Sequence, residues 1–171
     1  MRTLRPRGVG LSVALLWGVS VQLIAQGWSR LVGSDLFAPT GGGRGLASAG
    51  AFSGAVIAFA FGECVRRGVG WSRRVVVALG LALTALGIAS LPGSVRDLEH
   101  GLVWSTVPTA VLLTVAPLMA VWMHSACSRS WFRLVTSEIA RRRHGGVWVA
   151  TLVLVAVVSG LLVAYAEARH R

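Results

Sequence analysis

The chain has 171 residues, 54% hydrophobic and only 13% charged, with a mean hydropathy of +0.69. A soluble domain carries about 25% charged residues, so too little polar surface is present for an ordinary water-facing globule. The net charge of +11 would suit a nucleic-acid binder, but the 17 basic residues are all arginine and fall between apolar runs. Anchoring of membrane spans accounts for that spacing without a polyanion. Apolar runs of about 20 residues, repeated along the chain, predict an all-α, polytopic transmembrane helical bundle forming one integral membrane domain.

Arg2, Arg5 and Arg7 precede the first predicted span, residues 9–28. A basic start before an apolar stretch also fits a signal peptide, but no small-x-small cleavage site follows, so an uncleaved span is expected. Gln22, Gln26 and Ser29 share one of its faces. Residues 29–46 form a loop containing Asp35, Pro39 and Gly41-Gly42-Gly43. No Gly-Lys-Ser/Thr follows these glycines, so they read as a flexible connector and not as a phosphate cradle.

The second span, residues 47–65, is expected to be the centre of the bundle. Gly50, Gly54, Ala58 and Gly62 recur every fourth position and predict a smooth ridge for close helix packing. Phe52, Val56, Phe59 and Val65 lie opposite. Arg66-Arg67 and Arg73-Arg74 then mark the turn into the third span, residues 75–91, which Pro92-Gly93 is expected to stop. Arg96, Asp97, Glu99 and His100 crowd the next turn.

The fourth span, residues 102–124, contains Pro108 and Pro117. Ser105, Thr106 and Thr109 are placed to satisfy the Trp104 carbonyl freed by the first proline. In the basic segment that follows, Trp131, Leu134, Val135 and Ile139 share one helical face, with Arg129, Arg133 and Thr136 on the other side. That pattern predicts a short amphipathic helix lying at the interface. Arg141-Arg142-Arg143 precedes the fifth span, residues 147–166.

This layout puts twelve arginines on one side of the membrane and five, Arg30, Arg44, Arg96, Arg169 and Arg171, on the other. The positive-inside rule therefore predicts five spans with the amino end in the cytoplasm and the carboxyl end outside. Arginine-only basicity and abundant Gly, Ala and Val suggest a GC-rich bacterial gene, hence a multi-pass protein of the bacterial cytoplasmic membrane. Cys64 and Cys127 fall at cytoplasmic helix ends, where a disulfide is not expected.

Polar groups gather in the outer half. Gln22 and Gln26, Ser53, and Glu99, His100, Trp104 and Ser105 are the candidate ligand-binding cluster, because polar side chains at membrane depth usually face a bundle interior. They serve equally as hydrogen-bonding glue between helices. Ala51-Phe52-Ser53-Gly54 resembles the Gly-x-Ser-Gly of rhomboid intramembrane proteases, which implies Ser53 as nucleophile and His100 as base. However, Ala51 replaces the first glycine, and no earlier span bears a histidine and an asparagine. At the inner edge Cys64, His124 and Cys127, with Glu63, are candidate metal ligands, although Glu63 is also spaced to pair with Arg66 or Arg67. No cofactor is expected.

Phe61-Gly62-Glu63-Cys64-Val65-Arg66-Arg67, Leu91-Pro92 and His100-Gly101 together resemble the bacterial membrane family known as domain of unknown function 998. The resemblance covers residues 9–133 and implies an emphasis on His100, though that family often has one span more. The function expected is a non-enzymatic membrane subunit or a binder of lipid or a small apolar ligand. A transport component without its own ATPase is the alternative, and a rhomboid-like hydrolase the weakest reading. The partners expected are membrane lipids and another membrane protein, not nucleic acid.

Overall fold

The computed structural model describes residues 7–33, 44–134 and 146–169. Among them are six helices: α1 (Arg7–Val32), α2 (Arg44–Arg66), α3 (Gly70–Glu99), α4 (Val103–His124), α5 (Ala126–Leu134) and α6 (Val147–Arg169). All but α5 are long and apolar enough to cross a membrane. Arg2, Arg5, Gly41, Gly42, Gly43, Val135, Thr136, Ile139, Arg141, Arg142 and Arg143 lie outside the described residues.

Two turns are set by glycine. At the end of α2 the Val69 N–H donates to the Cys64 carbonyl and the Gly68 N–H to that of Val65. At the end of α3 the Leu102 N–H donates to Asp97 and the Gly101 N–H to Leu98. Gly68 and Gly101 have φ of 75° and 77°, the left-handed conformation this paired closure requires and side chains resist. Each turn reverses the chain within three residues. The pairs α1–α2 and α3–α4 are antiparallel, and α6 lies parallel to α1. By contrast α2 and α3, though joined by only three residues, have few contacts and diverge.

The central helix is α1, not α2. It touches α2, α4, α5 and α6, and 56% of its apolar window is buried, against 17–28% for the other four. Glycines set these approaches. A Cβ at Gly8 would lie 2.8 Å from the Trp122 backbone, and one at Gly62 would lie 2.7 Å from Trp17 Cδ1. One at Gly160 would run into the Gly18 carbonyl oxygen. The same device joins α3 to α4, where Gly80 faces Ala116 and Ala120, and Gly87 faces Leu112.

The predicted ridge on α2 is rotated from the observed contact face. Ser48, Ala51, Ala55, Gly62 and Val65 are buried, whereas Gly50 is exposed with nothing near it. A helix advances 3.6 residues per turn, so a strict every-fourth row winds by about 40° per step. Over three steps it leaves the face on which it began. Spacings of three and four alternate along the true face and cancel that drift. Val65, expected opposite the ridge, is part of the core, and Phe59 stacks on Trp17 at 5.6 Å.

The core sits at one end of the bundle. It comprises Val9, Val13, Leu16 and Trp17 of α1, Val65, Val76, Met119, Met123, Trp131 and Ala156. Almost all of these lie in the halves of their helices nearest the turn holding Arg66, Arg67, Arg73 and Arg74. Ser12 Oγ is fully buried there without a hydrogen-bond partner, so its small volume and not its hydroxyl suits it to that place.

Two local expectations change. Pro92 does not end α3, which runs 30 residues, about 45 Å at 1.5 Å per residue. That exceeds a hydrocarbon core of about 30 Å, so the helix projects beyond it. Ser94 Oγ and Thr109 Oγ1, 2.6 Å apart, tie the projecting part to α4. Thr109 thus bonds Ser94, and Thr106 bonds the Val103 carbonyl at 2.8 Å. The amphipathic helix is present as α5, but Trp131 is 4% exposed and enters the protein core instead of lipid. The bend before α5 aims it inward. Ser125 and Ser128 hydroxyls both donate to the Trp122 carbonyl, at 2.6 and 2.7 Å.

Gly160→Ala is expected to destabilise the bundle by about 1–3 kcal/mol, the usual cost of overpacking, and Gly50→Ala to leave it unchanged. Unfolding of both variants in the same detergent reads the difference.

Candidate functional site

The three-residue link after α2 crowds two arginine pairs together and sorts them. Arg66 makes a bidentate ion pair with Glu63, Nε to Oε1 and Nη2 to Oε2, both at 2.8 Å. Arg67 Nε reaches Glu63 Oε2 at 3.3 Å. One carboxylate thus satisfies two guanidinium groups, as the i+3 and i+4 spacing allows. Arg73 and Arg74, in the first turns of α3, have no such partner among the described residues. Arg73 Nη1 donates to the Met123 carbonyl at 3.5 Å, which draws it toward the end of α4.

Helix α5 brings a second arginine pair to the same place. Arg129 and Arg133 are four residues apart and therefore neighbours on its surface, and both are exposed. With Trp131 plugged into the core, α5 is held with this basic side against the start of α3. Between them lies an open cleft of about 370 Å³, lined by Gly70, Trp71, Arg73, Arg74, Arg129, Phe132 and Arg133. Trp71 stacks on Phe61 at 5.7 Å, fixing the aromatic wall to α2.

None of the four lining arginines pairs with a carboxylate among the described residues. The residue before α3, Val69, supplies no side-chain cap, so the positive end of the helix dipole adds to the same field. Four like charges in one concavity repel each other, and an anion relieves that repulsion. The arrangement can bind; it holds no nucleophile or general base.

The residues singled out from sequence are spread over the molecule. Ser53 is exposed on the side of α2 away from α1, and Glu99 and His100 are exposed at the far end of α3. Gln22 and Gln26 are half-buried on α1. The side chains of Trp104 and Ser105 lie outside the described residues. Ser53 stands on α2 and His100 just after α3, two helices with few contacts between them. At the other end Cys64 is half-buried, while His124 and Cys127 are exposed. No three His, Cys, Asp or Glu side chains among the described residues gather as a metal site, and Glu63 is already engaged by arginine.

Sequence reasoning read Arg73, Arg74, Arg129 and Arg133 as anchors only. The available signal was the four-residue spacing of Arg129 and Arg133 beside Trp131 and Phe132, opposite a second unpaired couple. No protein-family model matches the chain, and no curated protein or solved structure matches it either.

Glu63→Gln is expected to destabilise the protein by about 2 kcal/mol, since it leaves two guanidinium groups short of a charged acceptor. The double variant Glu63→Gln/Arg66→Met should recover part of that loss in a detergent unfolding series.

Proposed function

We propose that this protein is a non-enzymatic, multi-span protein of the bacterial cytoplasmic membrane that acts by binding an acidic membrane lipid at its arginine-rich, cytoplasmic end. The observation that supports this reading is the convergence of four uncompensated arginines and two aromatic rings in one cleft at the level where span ends meet the headgroups. Arginine forks suit phosphate oxygens, and tryptophan suits the boundary between water and hydrocarbon. The ligand site thereby moves from the outer-half cluster to the opposite end. A hydrolase reading draws no support from Ser53, whose side chain lies on an exposed face. Kinship with domain of unknown function 998 stays part of the proposal, resting on the residues quoted above.

A second reading, a subunit of a larger membrane assembly, is favoured by α3 and α6. Only 17% of each apolar window is buried, which leaves broad faces for lipid or for another membrane protein.

Extraction in mild detergent, followed by mass spectrometry of retained lipids, tests the first reading. Acidic lipids should survive washing that removes zwitterionic ones, and adding them back should raise the thermal midpoint. Equal loss of both classes would count against it, and a stoichiometric copurifying membrane protein would favour the second.

A further inference from the structure

Resting on the binding reading above, we infer that the cleft between α3 and α5 takes a terminal phosphate, a phosphomonoester or diphosphate end group, carried on a membrane lipid. The donors outnumber what a phosphodiester can use. Arg73 and Arg74 stand on one wall and Arg129 and Arg133 on the other, and each guanidinium presents a planar fork of N–H groups. A phosphodiester offers two free oxygens and one negative charge. A terminal phosphate offers three free oxygens and a charge between −1.5 and −2 near neutrality, so it can accept from both walls at once. Nearby guanidinium groups favour its fully ionised form. The start of α3, at Gly70 and Trp71, lines the same cleft, so the positive end of its helix dipole lies close by.

Size and surroundings point to a lipid over a soluble ester. The cleft of about 370 Å³ is small for a ligand pocket, whose usual range is about 300–1,000 Å³, and fits a head without its tail. A route for the tail begins at its rim. Trp71, Val75, Ala78 and Ala82 are exposed along one face of α3, an apolar strip leading from the arginines into the depth of the span. It faces the side on which α2 and α3 diverge, leaving an acyl chain room to lie against the helix.

The test uses the full-length protein in detergent and native mass spectrometry. The probes are phosphatidic acid, phosphatidylglycerol and phosphatidylcholine of one chain length, each titrated separately, with glycerol 3-phosphate as soluble competitor. Phosphatidic acid should bind on the order of tenfold more tightly than phosphatidylglycerol, as charge-assisted bidentate pairing predicts. Arg74→Gln/Arg133→Gln should abolish that margin without lowering the unfolding midpoint, because both side chains are exposed, pair with no carboxylate among the described residues, and leave less mutual repulsion when neutralised. Equal affinity for the two acidic lipids, both above phosphatidylcholine, would overturn the terminal-phosphate inference and leave the binding reading standing. No preference for either acidic lipid would overturn both. Displacement of phosphatidic acid by equimolar glycerol 3-phosphate would overturn the lipid as the source and assign the cleft to a soluble phosphate ester.

Discussion

Close backbone approach along α1 is the constraint on which this bundle depends. In lipid, apolar side chains gain nothing by turning from hydrocarbon to protein, so helices adhere through dispersion contacts that grow with proximity. The α1 helix secures that proximity on three sides. Gly8 accepts the α4 backbone, Gly18 meets Gly160 of α6, and Gly62 of α2 accommodates the Trp17 ring. Where two glycines or a glycine and a large ring oppose each other, neither partner can grow without separating the helices. Elsewhere the faces of α3 and α6 are dressed in exposed Leu, Ile and Val, as a surface bathed in acyl chains should be.

The packing is uneven along the membrane normal, and the unevenness accounts for the cleft. The core gathers where α1 begins, α2 ends, α3 begins and α4 ends, and Trp131 of α5 completes it. Five chain segments thus reach one level within a few residues of each other. Four of them carry arginine, while α4 ends in His124. Tight packing among these ends forces the cations together, and the Glu63 carboxylate can answer only Arg66 and Arg67. The uncompensated remainder faces the α3–α5 cleft. An anchoring device and a binding surface are therefore the same residues seen at two scales.

Much of this fold was legible in the sequence. The five spans and the short amphipathic helix follow from hydropathy and charge. Choosing the central helix was harder, because the α2 glycine row is more conspicuous than the mixed Gly, Ser and Val face of α1. A strict every-fourth spacing draws the eye but winds off the contact face. Pro92 misled for a related reason: near the far end of a long helix, a missing N–H is tolerated where Ser94 can bond Thr109. The candidate site was the least legible. Pairing Ser53 with His100 joins positions two helices apart in sequence order, yet α2 and α3 have few contacts between them. The cleft depends on how α5 is aimed, and the inward turn of Trp131 is a tertiary fact that an amphipathic pattern does not encode.

The most direct test of α1 as the packing axis is its exposure to lipid in a native-like membrane. Nitroxide labels placed singly at Ser12, Leu16 and Ser20 of α1, and at Val153, Leu154 and Leu161 of α6, can be compared by their collision rates with dissolved oxygen in proteoliposomes. All three α1 sites should be strongly shielded and all three α6 sites freely accessible. Shielded α6 positions beside accessible α1 positions would contradict the account.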